Sequence, residues 1–339
     1  MTSGAHRGRD GGRPPVIDAH VHLDPVIGGD PPGPGAPWCD RDPVELAAEL
    51  DAAGVRAVVD LDGGWGEPIL RRRLRIFKPV LADRYFCFGG VSWSDWERAG
   101  AAFPERAARR LQAQVADGAS GLKISKALGL HVRDDRDRRV PVDDERLAPV
   151  WETAAELRIP VLIHTGDPVA FFEPGQGGED LPILRAHPEW NLHGRETPGR
   201  DVLAAELSRL VGRHPATTFV SAHLANLGDA FDRLSALLGQ HPNLFVDTGA
   251  RFDEIGRDPG SARRFFLSHP DRILFGSDFP VSRDTYDVFF RLLETDDEFT
   301  LPAALTTTGR KSSARGLGLP VTVLERVYAG NALRLLPGR

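Results

Sequence analysis

Cysteine, lysine and methionine are scarce in this 339-residue chain, which holds two Cys, one Met and only four lysines, Lys78, Lys123, Lys126 and Lys311. Two widely separated cysteines, Cys39 and Cys87, exclude a disulfide scaffold and fit a reducing, cytoplasmic compartment. A formal net charge of −6 with no basic stripe excludes an electrostatic nucleic-acid binder. No apolar run approaches the ~20 residues of a membrane span, so no membrane association is expected. The opening MTSGAHRGRDGGRPP has no apolar core of the signal-peptide kind, and residues 1–14 read as a disordered polar tail. What the chain does have is arginine, which supplies nearly all of its 42 basic residues, and eleven histidines. Histidine outnumbers lysine, and its positions carry the rest of the reading.

Apolar, β-rich runs recur at 15–23, 55–62, 85–93, 119–125, 159–166, 217–224, 243–250 and 272–280. Most are continuous rather than alternating, as strands covered on both faces are. Helical patterns lie between them at 42–54, 104–118, 143–158, 201–213 and 230–240. The first has Asp42 as N-cap, Pro43 in its first turn, Glu45 three residues after the cap and Gly54 past its end. Eight strands alternating with helices predict an α/β fold, a (β/α)8 TIM barrel forming one domain over 15–339. An open doubly wound sheet is the alternative, but no strand–GxGxxG–helix unit supports it. Two stretches stand out as long site-side loops, the Pro/Gly-rich segment 28–38 and the weakly periodic 167–200.

His20 and His22 form an H-x-H pair at the end of the first run, where residues i and i+2 share one face of a strand. His164, His223 and Asp278 end the fifth, sixth and eighth runs, each interrupting an apolar stretch at its carboxyl end. In a barrel those ends face the mouth of the site. An unpaired buried polar group costs roughly 2–7 kcal/mol, so five of them at strand ends are most cheaply explained by convergence on a cation. Imidazoles plus a carboxylate suit Zn²⁺ and related first-row divalent ions, with Mn and Fe as alternatives. His187, His214, His241 and His269 each precede Pro and read as turns at the opposite, structural end.

The motifs DAHVHLD, LIHTGDP, SAHL, LFGSDFP and YAGNALRLL resemble the amidohydrolase superfamily, and most closely the amidohydrolase-related branch that includes aminocarboxymuconate semialdehyde decarboxylase. The resemblance runs from about residue 15 to residue 336. It implies a distorted TIM barrel with one metal, less often two. It further implies that His20, His22, His164 and Asp278 are metal ligands. His223 would then be a nearby acid/base, a transition-state-stabilising group or a ligand to a second metal. Superfamily members with two metals often bridge them by a carboxylated lysine ending the fourth strand, where Lys123 stands in this chain. The single-metal habit of the branch favours the other reading, in which Lys123 stays an ammonium, ion-paired near the site or binding a substrate anion.

The reaction expected is hydrolysis. A water acidified by the metal attacks a C–N or C–O bond of an amide, lactone or related group. Asp278 takes the proton, and His223 stabilises developing oxyanion charge. Non-oxidative decarboxylation of an aromatic or unsaturated acid is the runner-up, because the same residues serve it. A non-catalytic metal-binding barrel is the third reading. The substrate expected is a small anionic or aromatic molecule. Arg251 after the seventh strand is the best-placed anion binder, with Arg195 and Arg283 weaker. Trp65, Trp93, Trp190, Phe171 and Phe172 are candidates for an aromatic wall. Asp62 and Asp247 are candidate partners behind the ligands or simple turn residues, and His131 and His193 fall in site-side loops. A homodimer or higher homo-oligomer is compatible with the composition.

Overall fold

The computed structural model describes residues 13–23, 41–173, 181–306 and 308–337. Tail residues 1–12, the segment 28–38 and Cys39 lie outside the described residues. Arg13, within the tail expected to be disordered, donates to Glu294 and lies 3.8 Å over the Phe290 ring.

Eight parallel strands pair in sequence order: β1 (Val16–Val21), β2 (Val55–Asp60), β3 (Tyr85–Gly90), β4 (Gly121–Ile124), β5 (Val161–Ile163), β6 (Phe219–Ser221), β7 (Leu244–Asp247) and β8 (Ile273–Leu274). Backbone bonds from Ala19 N–H to the Phe275 carbonyl (2.8 Å) and from Asp278 N–H to the His20 carbonyl (2.7 Å) draw the end of β8 back to β1. The result is a (β/α)8 barrel. Ile17, Ala19, Ala57, Val59, Phe88, Leu162, Val220, Phe245 and Leu274 fill its interior, together with Ala329 and Ala332 from the C-terminal segment. Asn331 of that segment donates to the carbonyls of Pro270 and Ile273 and so ties it to β8.

The long helices are α1 (Pro43–Ala53), α2 (Glu67–Leu81), α3 (Phe103–Ala116), α4 (Ala148–Glu156), α5 (Arg200–Arg213), α6 (Phe231–Gln240), α7 (Pro259–Ser268) and α8 (Arg283–Glu294). Helix α1 keeps the expected grammar: the Asp42 side chain accepts from Val44 N–H and Glu45 N–H, and Gly54 adopts φ +69° to close it. Helix α4 starts later than expected, at Ala148, after a 3₁₀ turn capped by Asp144. Helices α2, α7 and α8 were not expected from the sequence pattern. No helix among the described residues is long and apolar enough to cross a membrane.

The strands are shorter than the apolar runs that predicted them, and the difference places the site. The run 272–280 yields only Ile273–Leu274 as β8, because the chain turns out of the sheet to present Asp278, whose φ is +64°. The run 217–224 ends as β6 at Ser221, and His223 to Asn226 all take positive φ between +53° and +60°. Non-glycine residues in that region are costly, so the surrounding packing must hold them there. A two-stranded antiparallel hairpin, β9 (Glu298–Leu301) with β10 (Ser312–Arg315), lies outside the barrel and was not expected.

Candidate metal centre

The carboxyl ends of the strands bring His20, His22 and Asp278 together, with ligating atoms all within 4.8 Å of one another. Asp278 Oδ1 lies 3.1 Å from His20 Nε2 and 3.5 Å from His22 Nε2. The shorter of these misses hydrogen-bond geometry, and His20 Nε2 is left buried without a hydrogen-bond partner. The other nitrogen of each ring is held from behind. Asp247 Oδ2 accepts from His20 Nδ1 at 2.8 Å, and Asp62 Oδ1 accepts from His22 Nδ1 at 2.5 Å. A carboxylate on Nδ1 fixes the tautomer that leaves Nε2 bare, the arrangement common behind metal-ligating imidazoles.

His164 and His223 extend the cluster. His223 Nδ1 donates to the Gly249 carbonyl at 2.8 Å, which leaves its Nε2 as acceptor for His164 Nδ1 at 3.3 Å. That order leaves His164 Nε2 bare, and it too is buried with no hydrogen-bond partner. His164 stands outside the tightest cluster but lines the same cavity. Asp278 Oδ2 is 3.9 Å from His223 Nδ1.

The electrostatics ask for positive charge. Burial alone would depress the His20 imidazole, but Asp247 and Asp278 outweigh it and raise its pKa to about 9. Burial opposes ionisation of Asp247, yet His20 beside it brings that carboxyl down to about 2. Asp278 likewise overcomes burial through His20 and His223 and is held below the usual carboxylate range. Burial pushes His223 down to about 3 and His164 well below the ordinary value, so both rings stay neutral and able to donate a lone pair. Two bare, buried imidazole nitrogens beside an ionised carboxylate fit a divalent cation.

A cavity of about 220 Å³ opens over this cluster. Its polar floor is His20, His22, His164, His223, Asp278 and Lys123, and its walls include Trp65, Phe171, Ile183, Trp190, Phe279 and Leu305. Lys123 is 8% exposed, and burial lowers its ammonium to about 8 against the opposing pull of Asp278, Asp247 and Asp62. Gly64 makes room for it, since a Cβ there would lie 2.9 Å from Lys123 Cβ. Lys126 binds both oxygens of Asp167 at 2.9 Å and sits 4.6 Å over the Trp190 ring.

Of the residues singled out in the sequence, Trp65, Trp190, Phe171, Lys123 and Arg251 line this cavity. Arg251 is 4% exposed, donates to the side-chain oxygen of Asn226, and lies 3.6 Å from Glu254. Trp93 does not reach the cavity; it stacks with Trp96 and packs on Phe103. Arg195 is exposed and donates to the Pro188 carbonyl, while Arg283 is exposed beside Asp287. His193 is exposed and His131 lines a separate outer groove. His214, His241 and His269 precede β6, β7 and β8 as expected. His187 does not belong with them: it lies in the loop after β5 and stacks on Trp190 at 4.1 Å. Sequence reasoning missed the hairpin turn carrying Ala304, Leu305 and Thr306, which lines the cavity from outside the barrel. It also missed Asp18, buried in β1, which accepts from His20 N–H, Ser277 N–H and the Tyr286 hydroxyl.

A parallel eight-stranded barrel with imidazoles and a carboxylate at its carboxyl mouth defines a metal-dependent barrel enzyme. The Amidohydrolase family profile matches residues 17–338, and the chain belongs to that family of metal-dependent enzymes. No curated protein matches it. Among solved structures it is similar to 2,6-dihydroxybenzoate decarboxylase from Rhizobium, with 17% identity, 95% of this chain and 98% of that chain covered, and a TM-score of 0.60. A dihydroxybenzoic acid decarboxylase from Polaromonas, with manganese and the inhibitor 2-nitroresorcinol bound, is 17% identical over 95% of this chain and 96% of that one, with a TM-score of 0.57. A probable 2-pyrone-4,6-dicarboxylic acid hydrolase from Acinetobacter baumannii, with citric acid bound, is 11% identical over 94% and 98%, with a TM-score of 0.55. These likenesses share the fold.

Proposed function

We propose that the chain hydrolyses a C–N or C–O bond of a small, single-ring substrate that carries an anionic group. The observation that carries this reading is the ionised Asp278 carboxylate, held against bare imidazole nitrogens at the floor of an apolar-walled cavity. His20, His22, His164 and Asp278 would hold one divalent cation, zinc by the donor set, with manganese or iron as alternatives. Once bound, it would supply Lewis-acid polarisation and a water acidic enough to lose its proton near neutrality.

The chain's own residues do the rest. Asp278 is the proton acceptor for the attacking water, being ionised and fixed by its own N–H on the His20 carbonyl. His223 accepts from His164 Nδ1 and so leaves His164 Nε2 bare, and its ring, 3.9 Å from Asp278 Oδ2, stabilises charge that develops beside that carboxylate. Lys123 receives the substrate's anionic group, and Trp65, Phe171, Ile183 and Trp190 exclude bulk water around the ring. A cavity of about 150 Å³ in another protein holds benzene, so 220 Å³ suits one ring with a few substituents.

Replacing Lys123 by Met removes the charge and keeps the length of the side chain. The KM for an anionic substrate should rise about 10- to 100-fold, as for loss of one charge-assisted contact of about 1.5–3 kcal/mol. The KM for a neutral analogue should change little. Equal effects on both would contradict the assignment.

One observation favours the decarboxylase alternative: the cavity that Lys123 lines has largely apolar walls, which suits departure of neutral CO₂ from a carboxylate placed there. Product analysis separates the two. On a panel of small lactones, cyclic amides and ring carboxylates, hydrolysis predicts a new acid without CO₂ release. Release of CO₂ with no hydrolytic product would replace hydrolysis by decarboxylation.

A further inference from the structure

His20 and His22 are each fixed by a carboxylate, but the two carboxylates are themselves held in different ways. Asp247 is fixed by backbone: its Oδ1 accepts from His223 N–H and Gly249 N–H, both at 2.9 Å, which leaves Oδ2 for His20. Asp62 has one backbone donor on Oδ2, Leu23 N–H at 3.0 Å. A side-chain cation pairs with that oxygen as well, Arg73 Nη2 at 2.7 Å. The amide and the guanidinium together hold Oδ2 and so aim Oδ1 at His22 Nδ1.

Arg73 is an unusual residue to find there. It projects from α2, is 1% exposed, and occupies the buried stripe of that helix with Leu70, Phe77 and Leu81. A buried guanidinium persists where it is paired on geometry that its planar fork can satisfy. Here its Nη1 donates to Asp60 Oδ2 at 3.1 Å. The Tyr85 hydroxyl donates to the same oxygen at 2.6 Å, and Asp62 N–H donates to Asp60 Oδ1 at 3.0 Å. The fork thus spans the two carboxylates that frame the end of β2, and one of them orients His22.

We propose that Arg73 is a positioning residue that, through Asp62, fixes the tautomer and orientation in which His22 presents a bare Nε2 to the site. With Arg73 removed, Oδ2 loses the guanidinium that pairs with it, the carboxylate is held less firmly, and His22 loses its fixed acceptor. The His20 side is untouched, because backbone amides hold Asp247. This inference rests on the metal reading for its consequence but not for its test.

The test uses the full chain labelled with ¹⁵N-histidine, stripped of metal and held at pH 8. The ring nitrogens of His20 and His22 are assigned by comparison with His20→Gln and His22→Gln. In the wild type the His22 ring should show the Nδ1–H tautomer, while His20, held by Asp247 and Asp278 at a pKa of about 9, should be largely protonated. In Arg73→Met the His22 signals should move to a tautomer mixture while those of His20 stay, and Arg73→Lys should restore part of the wild-type pattern. A zinc titration of the same proteins should give a Kd weakened about 10- to 100-fold in Arg73→Met, as for loss of other groups behind metal ligands. Unchanged His22 signals, or equal disturbance of His20 and His22, would overturn the proposal, the second because it marks general loosening. Should Arg73→Met fail to fold, Arg73→Lys alone decides by the same two signals. If the wild type binds no zinc, the metal reading fails while the tautomer measurement still decides the role of Arg73.

Discussion

Asp278→Asn should lower kcat by about 10³-fold or more at saturating substrate, with the folded chain still able to take up metal. Proton transfer to a placed base contributes about 10²–10⁴-fold, and an amide cannot accept that proton. The substitution preserves shape, so the effect reports charge. The backbone at this position is fixed independently of the carboxylate, through Asp278 N–H on the His20 carbonyl and φ of +64°. His20 keeps Asp247, His22 keeps Asp62, and His164 keeps His223, so three imidazole nitrogens stay aimed at the site. Steady-state kinetics with elemental analysis of the same preparation checks both halves. A wild-type-like kcat would remove Asp278 from its role as base.

Metal removal should have a comparably large effect. Exhaustive chelation should abolish turnover, and activity should return with Zn²⁺, Mn²⁺ or Fe²⁺ but not with a monovalent ion. The stripped chain should also unfold at lower temperature. A ligand that binds only the folded state at 1,000 times its Kd stabilises by about 4 kcal/mol, and the cluster of Asp278 with bare His20 and His164 nitrogens is the part that would lose it. Calorimetry before and after chelation, run beside the activity assay, measures this. Full activity in a preparation shown to be metal-free would contradict the scheme.

Much of this site was legible before any coordinates, because its marks are local. A histidine or aspartate ending an apolar run is visible in a window of eight residues, and a barrel turns strand ends into one mouth. Asp62 and Asp247 were visible for the same reason. Arg73 was not, because its position reads as the charged cluster RRRLR while its side chain occupies an apolar place on α2. That substitution also hid the helix itself, whose stripe of Leu70, Phe77 and Leu81 is interrupted where Arg73 stands. The hairpin turn with Leu305 was illegible for another reason. Strands β9 and β10 are short and largely exposed, so they carry little apolar signal, and their contact with the cavity is long-range. Arg195 and Trp93 looked like site residues because loop position alone cannot tell a side chain facing the cavity from one facing away.

The most direct test is anomalous diffraction from crystals grown with Zn²⁺ or Mn²⁺. The account predicts one strong peak at bonding distance, about 2.0–2.2 Å, from the Nε2 atoms of His20, His22 and His164 and from Asp278. It also predicts an unmodified Lys123. No peak at these residues would contradict the metal centre, and a second peak bridged by a carboxylated Lys123 would contradict the single-metal site.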